Sequence, residues 1–223
     1  MRAVQFAEKG PIQDVLKVVD IPKPTAGEDE LLVRILASGI NPADAKNIEG
    51  SILTTILPRV PNRDFSGIVE SGPHAGLEVW GTGGESGTTT EGAAAEYIVV
   101  KDADLAPKPK NLSFVQAAAC GVPFLTASAM LRRAGVRAGQ YVLVLGSSGS
   151  VGSAAVALCK FLQAAPLKSG RHGTVGEVDS TATQLVTQTR TLTNGADVDG
   201  VLDTVSDPAL FQKALITLKK CGT

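Results

Sequence analysis

The stretch that most constrains this chain is residues 140–163, QYVLVLGSSGSVGSAAVALCKFLQ. Residues 141–145 form an apolar, β-prone run without a charged side chain, which predicts a strand buried on both faces. The run ends at Gly146-Ser147-Ser148-Gly149-Ser150-Val151-Gly152, and over 153–162 small and apolar residues recur at helical spacing. Strand, glycine turn and helix in that order describe a dinucleotide-binding turn. The first glycine permits the tight turn, the second lets the backbone approach a pyrophosphate, and the third lets helix and strand pack closely. The phosphates then meet free N–H groups at the positive end of the helix. The competing reading is a plain strand-to-helix turn, because glycines in a loop by themselves signal only a turn. The two flanks favour the nucleotide site.

Composition narrows the class by exclusion. With 223 residues, 43% of them hydrophobic, the chain can bury one large core or two small ones. A net charge of −1 with no long like-charge run gives no support to a nucleic-acid or membrane-surface partner. Cys120, Cys159 and Cys221 are far apart and form no CxxC pair. Buried or inert thiols in a reducing compartment are therefore expected, over a disulfide or a metal cluster. The N-terminal MRAVQF has no apolar signal core, and no run approaches the length of a membrane span. A soluble, cytoplasmic protein is the expectation.

Residues 3–6, 15–19, 30–36, 64–71, 78–81 and 95–100 read as short strands. Gly10-Pro11, Pro22-Lys23-Pro24 and Gly-rich turns punctuate them, which suggests a partly open barrel. The small, polar segment 83–90 reads as a mobile loop. Residues 112–120 begin a helix with Ser113 as N-cap. Pro123 interrupts the pattern and 126–134 resumes it. The boundary falls there, dividing the chain into domains 1–123 and 124–223.

Six segments then occur in sequence: Asn41-Pro42-Ala43-Asp44-Ala45-Lys46, Asp64-Phe65-Ser66-Gly67-Ile68-Val69, Gly92-Ala93-Ala94-Ala95-Glu96-Tyr97, Leu105-Ala106-Pro107-Lys108-Pro109, Leu125-Thr126-Ala127 and the glycine turn. The series resembles the medium-chain dehydrogenase/reductase superfamily, within it the zinc-free quinone oxidoreductase and enoyl reductase branch, over nearly the whole chain. The resemblance implies an α/β protein: a GroES-like β-barrel catalytic domain followed by a partial Rossmann domain, a doubly wound parallel sheet, with the active site in the cleft between them. It places Asn41, Asp44 and Lys46 at the catalytic site, and Thr126 with the glycine turn at the cofactor. Many relatives carry Tyr where Lys46 stands. An ammonium there would stabilise an oxyanion; the alternative is a lysine pointing to solvent from a loop.

By the same resemblance, zinc members carry a Cys and a His-Glu pair where this chain has Ser38 and Arg63-Asp64-Phe65. Catalytic zinc needs about three side-chain ligands, and the two histidines, His74 and His172, lie in unrelated stretches. No zinc is expected. Without a metal the acceptor must already be electron-poor, as a quinone or an α,β-unsaturated carbonyl is, and hydride from a nicotinamide is delivered by positioning. Roughly 20 residues past the glycines, where an NAD enzyme places an acid, the chain reads Ala165-Pro166-Leu167-Lys168-Ser169-Gly170-Arg171-His172. No acid is present, and Lys168, Ser169 and Arg171 are suited to a 2′-phosphate. NADP(H) is the expected cofactor; the alternative is that both cations only solvate a loop.

Two departures from the pattern stand out. Residues 169–175 are too few for an ordinary parallel crossover, so a helix is expected to be missing before the third strand at 177–179. The fourth strand, 201–203, and its helix, 208–218, are followed by Cys221-Gly222-Thr223, where relatives enter strand five. An open apolar sheet edge is expected; the sequence is either a fragment or a natural short form, and a homodimer through the last strand cannot be assumed. The expected function is a zinc-independent, NADPH-dependent oxidoreductase acting on a small-molecule quinone or enone. An enoyl reductase of a biosynthetic pathway and a nucleotide-binding or interaction protein without turnover are its rivals.

Overall fold

The structure, a computed structural model, describes residues 1–72, 74–170, 177–180 and 184–223. The chain divides into two compact units, Met1–Val122 and Pro123–Thr223.

In the first unit, β1 (Arg2–Phe6), a short helix α1 (Ile12–Val15) and β2 (Leu16–Asp20) make a two-stranded antiparallel hairpin. Next come β3 (Glu30–Gly39), α2 (Pro42–Ile48), β4 (Asp64–Val69), β5 (Glu78–Thr82), β6 (Tyr97–Lys101) and β7 (Leu105–Pro107). Their strands form one antiparallel sheet in the order β6-β3-β4-β5-β7. Alternate residues point to one face, so Leu31 and Val33 meet Ile98, Val100, Phe65, Val69 and Val79 in a single core. This is the expected open GroES-like barrel.

Segment 83–90 departs from the expected mobile loop. Ser86, Gly87 and Thr88 are buried. The Asn47 amide donates to the Gly87 carbonyl at 2.7 Å, and Ile56 N–H donates to Thr88 O at 3.1 Å. Small polar residues pack inward here because a buried side chain satisfies their backbone.

Ser113 caps α3 (Phe114–Ala118) as expected: its Oγ accepts from Gln116 N–H while its own N–H donates to the Gln116 side chain, a capping box. The helix break does not fall at Pro123. Helix α4 (Gly121–Arg133) runs through Pro123, which occupies the first turn, where a missing N–H costs no intrahelical bond.

The second unit holds β8 (Tyr141–Leu145), α5 (Ser150–Phe161), β9 (Ala165–Gly170), β10 (Val178–Asp179), α6 (Leu185–Leu192), β11 (Gly200–Asp203) and α7 (Pro208–Leu215). The strands run parallel in the order β10-β9-β8-β11, one half of a Rossmann sheet. Val142 and Val144 pack on Ala154, Ala155 and Cys159 of α5, while Leu143 and Leu145 pack on Leu167, Leu185 and Leu210. Apolar cover on both faces is why β8 reads as an unbroken apolar run. Burial pushes the Cys159 thiol up to about 11.

Strand β10 pairs with only the last two residues of β9, Val178 with Ser169 and Asp179 with Gly170. The segment between the two strands, where a helix is expected to be missing, lies outside the described residues. Among the described residues β9 has a partner at Pro166 on the β8 side alone, a local edge where proline is tolerated. The apolar edge expected beside β11 is in part covered. Thr223 N–H donates to Asp199 O at 3.1 Å, and its carbonyl accepts from Val201 N–H at 2.8 Å, one rung of a parallel ladder. Among the described residues no helix is long and apolar enough to cross a membrane.

Candidate functional site

In the second unit, the glycine turn assigns a different task to each glycine. Gly146 has φ +72°, and a Cβ there would meet Thr204 Oγ1 and Val205 Cγ2, both at 2.8 Å. Gly152 lies in the first turn of α5, where a Cβ would run into the Gly146 carbonyl. Both are required by the fold. Gly149 is not: it is the N-cap of α5 with φ −74° and ψ 169°, and a Cβ would meet only Gly146 O at 3.4 Å, an ordinary contact. The helix starts three residues earlier than its apolar pattern shows, which brings the N–H groups of Ser150, Val151 and Gly152 into a first turn without intrahelical acceptors. Ser148, Gly149 and Ser150 are exposed around it. Open N–H groups at a helix start, beside a glycine with room for a Cβ, are the kind of feature on which a phosphate is held.

The residues expected beside the turn divide. Ser147 is buried; its N–H and Oγ both donate to Ser169 O at 3.1 Å, tying the turn to the end of β9. The Ser169 side chain is a correction. It shares the Leu167 face of β9, has no exposure and finds no hydrogen-bond partner among the described residues, so it acts through its carbonyl and presents no hydroxyl to a phosphate. Lys168 is half-exposed, and its Nζ pairs with Glu177 Oε1 at 2.9 Å. An acid is thus present after all, delivered by the approach to β10. Thr126 is exposed on α4. Arg171 and His172 lie outside the described residues.

In the first unit, the centre is a buried carboxylate whose role has no local signal in the sequence. Asp64, 1% exposed at the head of β4, accepts from Asn41 Nδ2 at 2.9 Å and from Val122 N–H at 2.9 and 3.0 Å. The second contact places a negative charge on the first turn of α4, where the helix dipole favours it. Room for it is made by Gly121, where a Cβ would collide with the carboxylate, and by Gly39, whose Cβ would stand 2.9 Å from Asp64 Cβ. Ser38 Oγ donates to Asp64 O at 3.1 Å and accepts from Asn62 Nδ2 at 3.1 Å.

Asn41 is consequently held on two sides, because its N–H also donates to Asp44 Oδ2 at 2.7 Å as the N-cap of α2. Asp44 is buried and committed to that cap. Lys46 is exposed in the last turn of α2, on a helix and not in a loop. Its neighbour Asn47 is the buried hub, receiving Lys9 Nζ on its carbonyl and side-chain oxygens and the Thr55 hydroxyl on the latter. Burial raises the Asp44 carboxyl above its ordinary value, and the Asp64 charge adds to this against the Asn41 N–H. Folding favours the protonated acid, so its contribution to stability is present at low pH and is lost as pH rises through the raised value. Urea unfolding at pH values upward from 3.8 should therefore show the stability of Asp44→Asn, relative to the parent chain, shifting in the variant's favour as pH rises.

Among the described residues no group of three or more His, Cys, Asp or Glu side chains is arranged to hold a metal ion. The GroES-like domain of alcohol dehydrogenases matches residues 27–110. A zinc-type alcohol dehydrogenase-like protein of Schizosaccharomyces pombe is 36% identical over 221 residues, 96% of this chain and 66% of its own. The crystal structure of an NAD-dependent alcohol dehydrogenase superposes with a TM-score of 0.85 at 32% identity, over 98% of this chain and 74% of that one. The chain belongs to the medium-chain dehydrogenase/reductase superfamily. Another member, the quinone oxidoreductase of Thermus thermophilus, solved also in complex with NADPH, superposes with a TM-score of 0.80 at 27% identity, over 100% of this chain and 72% of its own. This medium-chain dehydrogenase/reductase chain spans 44% to 66% of the length of the first four curated relatives that it matches.

Proposed function

We propose that this chain is a zinc-independent oxidoreductase that binds NADPH on the glycine turn and serves the reduction of a quinone or an α,β-unsaturated carbonyl. The observation that carries the reading is Gly149, a glycine the fold does not need, facing open N–H groups at the start of α5. Zinc does not suit the donor set in the first unit. Ser38 offers a hydroxyl already bonded on both sides, and the Asp64 carboxylate is taken by Asn41 and Val122. A bound nicotinamide would supply the hydride. The chain's part is to bind and orient, and to place donors near the oxygen on which charge develops. Lys46, a cation exposed on α2, is the proposed donor; Asn41 is a buried support on the same helix cap. Among the relatives, the quinone oxidoreductase solved with NADPH favours this chemistry, without fixing the acceptor.

NADPH oxidation by the purified chain with a quinone, a simple enone and an enoyl thioester tests the proposal. Turnover with either of the first two is expected. Turnover with the thioester alone would replace it by an enoyl reductase, and NADPH binding without any turnover would replace it by a binding protein.

A further inference from the structure

The Lys168–Glu177 pair stands at the carboxyl end of β9, beside the strand residue whose carbonyl holds the glycine turn. In a parallel sheet this end is where a nucleotide's ribose is read. Glu177 is nine residues from Lys168 in sequence and comes back to it because Val178 pairs with Ser169. Its side chain is 23% exposed against 44% for the lysine, so the carboxylate is the more buried partner. Resting on the dinucleotide reading above, we propose that Glu177 is the positioning residue that limits the preference for a 2′-phosphate. It holds the Lys168 ammonium in an ion pair and sets a negative charge beside the position a 2′-phosphate would take.

A cation between two anions gains less from the second than a free cation would, and the carboxylate itself repels the phosphate. A ribose hydroxyl carries no charge and escapes both penalties. The wild-type chain therefore discriminates weakly between NADPH and NADH, and the discrimination is adjustable from Glu177 without touching the glycine turn.

Isothermal titration of NADPH and NADH to the full chain tests this. The wild-type ratio of affinities is expected to lie within about tenfold, and Glu177→Gln to raise it about tenfold further through tighter NADPH binding, with NADH unchanged; one neutralised charge is typically worth about that much. Equal changes for both nucleotides, or none, would overturn the proposal. If Glu177→Gln does not fold, Lys168→Gln gives the test from the other side: the ratio should fall below the wild-type value by about tenfold or more, and an unchanged ratio overturns the proposal. A wild-type chain that binds neither nucleotide would instead remove the dinucleotide reading itself.

Discussion

Gly149→Val is expected to abolish dinucleotide binding and to leave the second unit folded. The variant's Cβ has space, since only Gly146 O lies near it at 3.4 Å, and φ −74° with ψ 169° suits any residue. Valine is a poor N-cap, at a cost of about 1 kcal/mol, which a folded domain tolerates. Its γ-carbons would fill the space from which a pyrophosphate meets the backbone. Losing two charge-assisted contacts of about 1.5–3 kcal/mol each corresponds to roughly two to four decades of affinity at about 1.4 kcal/mol per decade. Gly152→Ala is the contrast: its Cβ runs into the Gly146 carbonyl, so that variant should lose the fold as well as the ligand. Calorimetric titration with NADPH, with circular dichroism on both variants, separates the cases. Wild-type affinity in Gly149→Val would withdraw the site. Collapse of Gly149→Val alongside Gly152→Ala would make both glycines structural.

Asp64→Ala is expected to destabilise the first unit by about 3–5 kcal/mol. The carboxylate is buried, and its removal leaves the Asn41 amide and the Val122 N–H without their acceptor; each unsatisfied donor costs about 1–3 kcal/mol. Loss of a negative charge from the first turn of α4 adds about 0.3–1 kcal/mol. At 2–4 °C per kcal/mol for a chain of about this size, the melting temperature should fall by roughly 10 °C. Trp80, the single tryptophan, is in β5 opposite Ser66 of β4, so its fluorescence reports this unit and not the other. Asp64→Glu should also destabilise: the site is walled by Gly39 and Gly121, where even one added carbon collides. A Trp80 transition unmoved by Asp64→Ala would mean that solvent replaces the carboxylate at no cost.

Local chemistry alone determined much of the second unit. The strand at 141–145, the glycine turn and the helix after it are set by neighbours within a few residues, because an apolar run, a glycine at positive φ and small residues at helical spacing each restrict the backbone where they stand. The Ser113 cap and the strands of the barrel were readable for the same reason: their hydrogen-bond partners and their alternation are short-range. Helix α2, with Asn41 as its cap, was not, since Pro42 and the short apolar pattern look like a loop until Asp44 closes the cap.

What tertiary structure decided is the set of contacts between residues far apart in sequence. Asp64 and Val122 are 58 positions apart, Asn41 and Asp64 are 23 apart, and nothing local to any of them announces the others. A buried carboxylate is tolerated only where distant donors converge on it, so its role cannot be read before the chain is folded. Ser169 looked available to a phosphate until strand alternation, fixed by pairing with β8, turned it to the Leu167 face. Glu177 looked unrelated to Lys168 until the register of β10 set them 2.9 Å apart. Residue type suggests which chemistry is available, but the register of a sheet decides which charges meet, because one residue's shift sends a side chain to the opposite face.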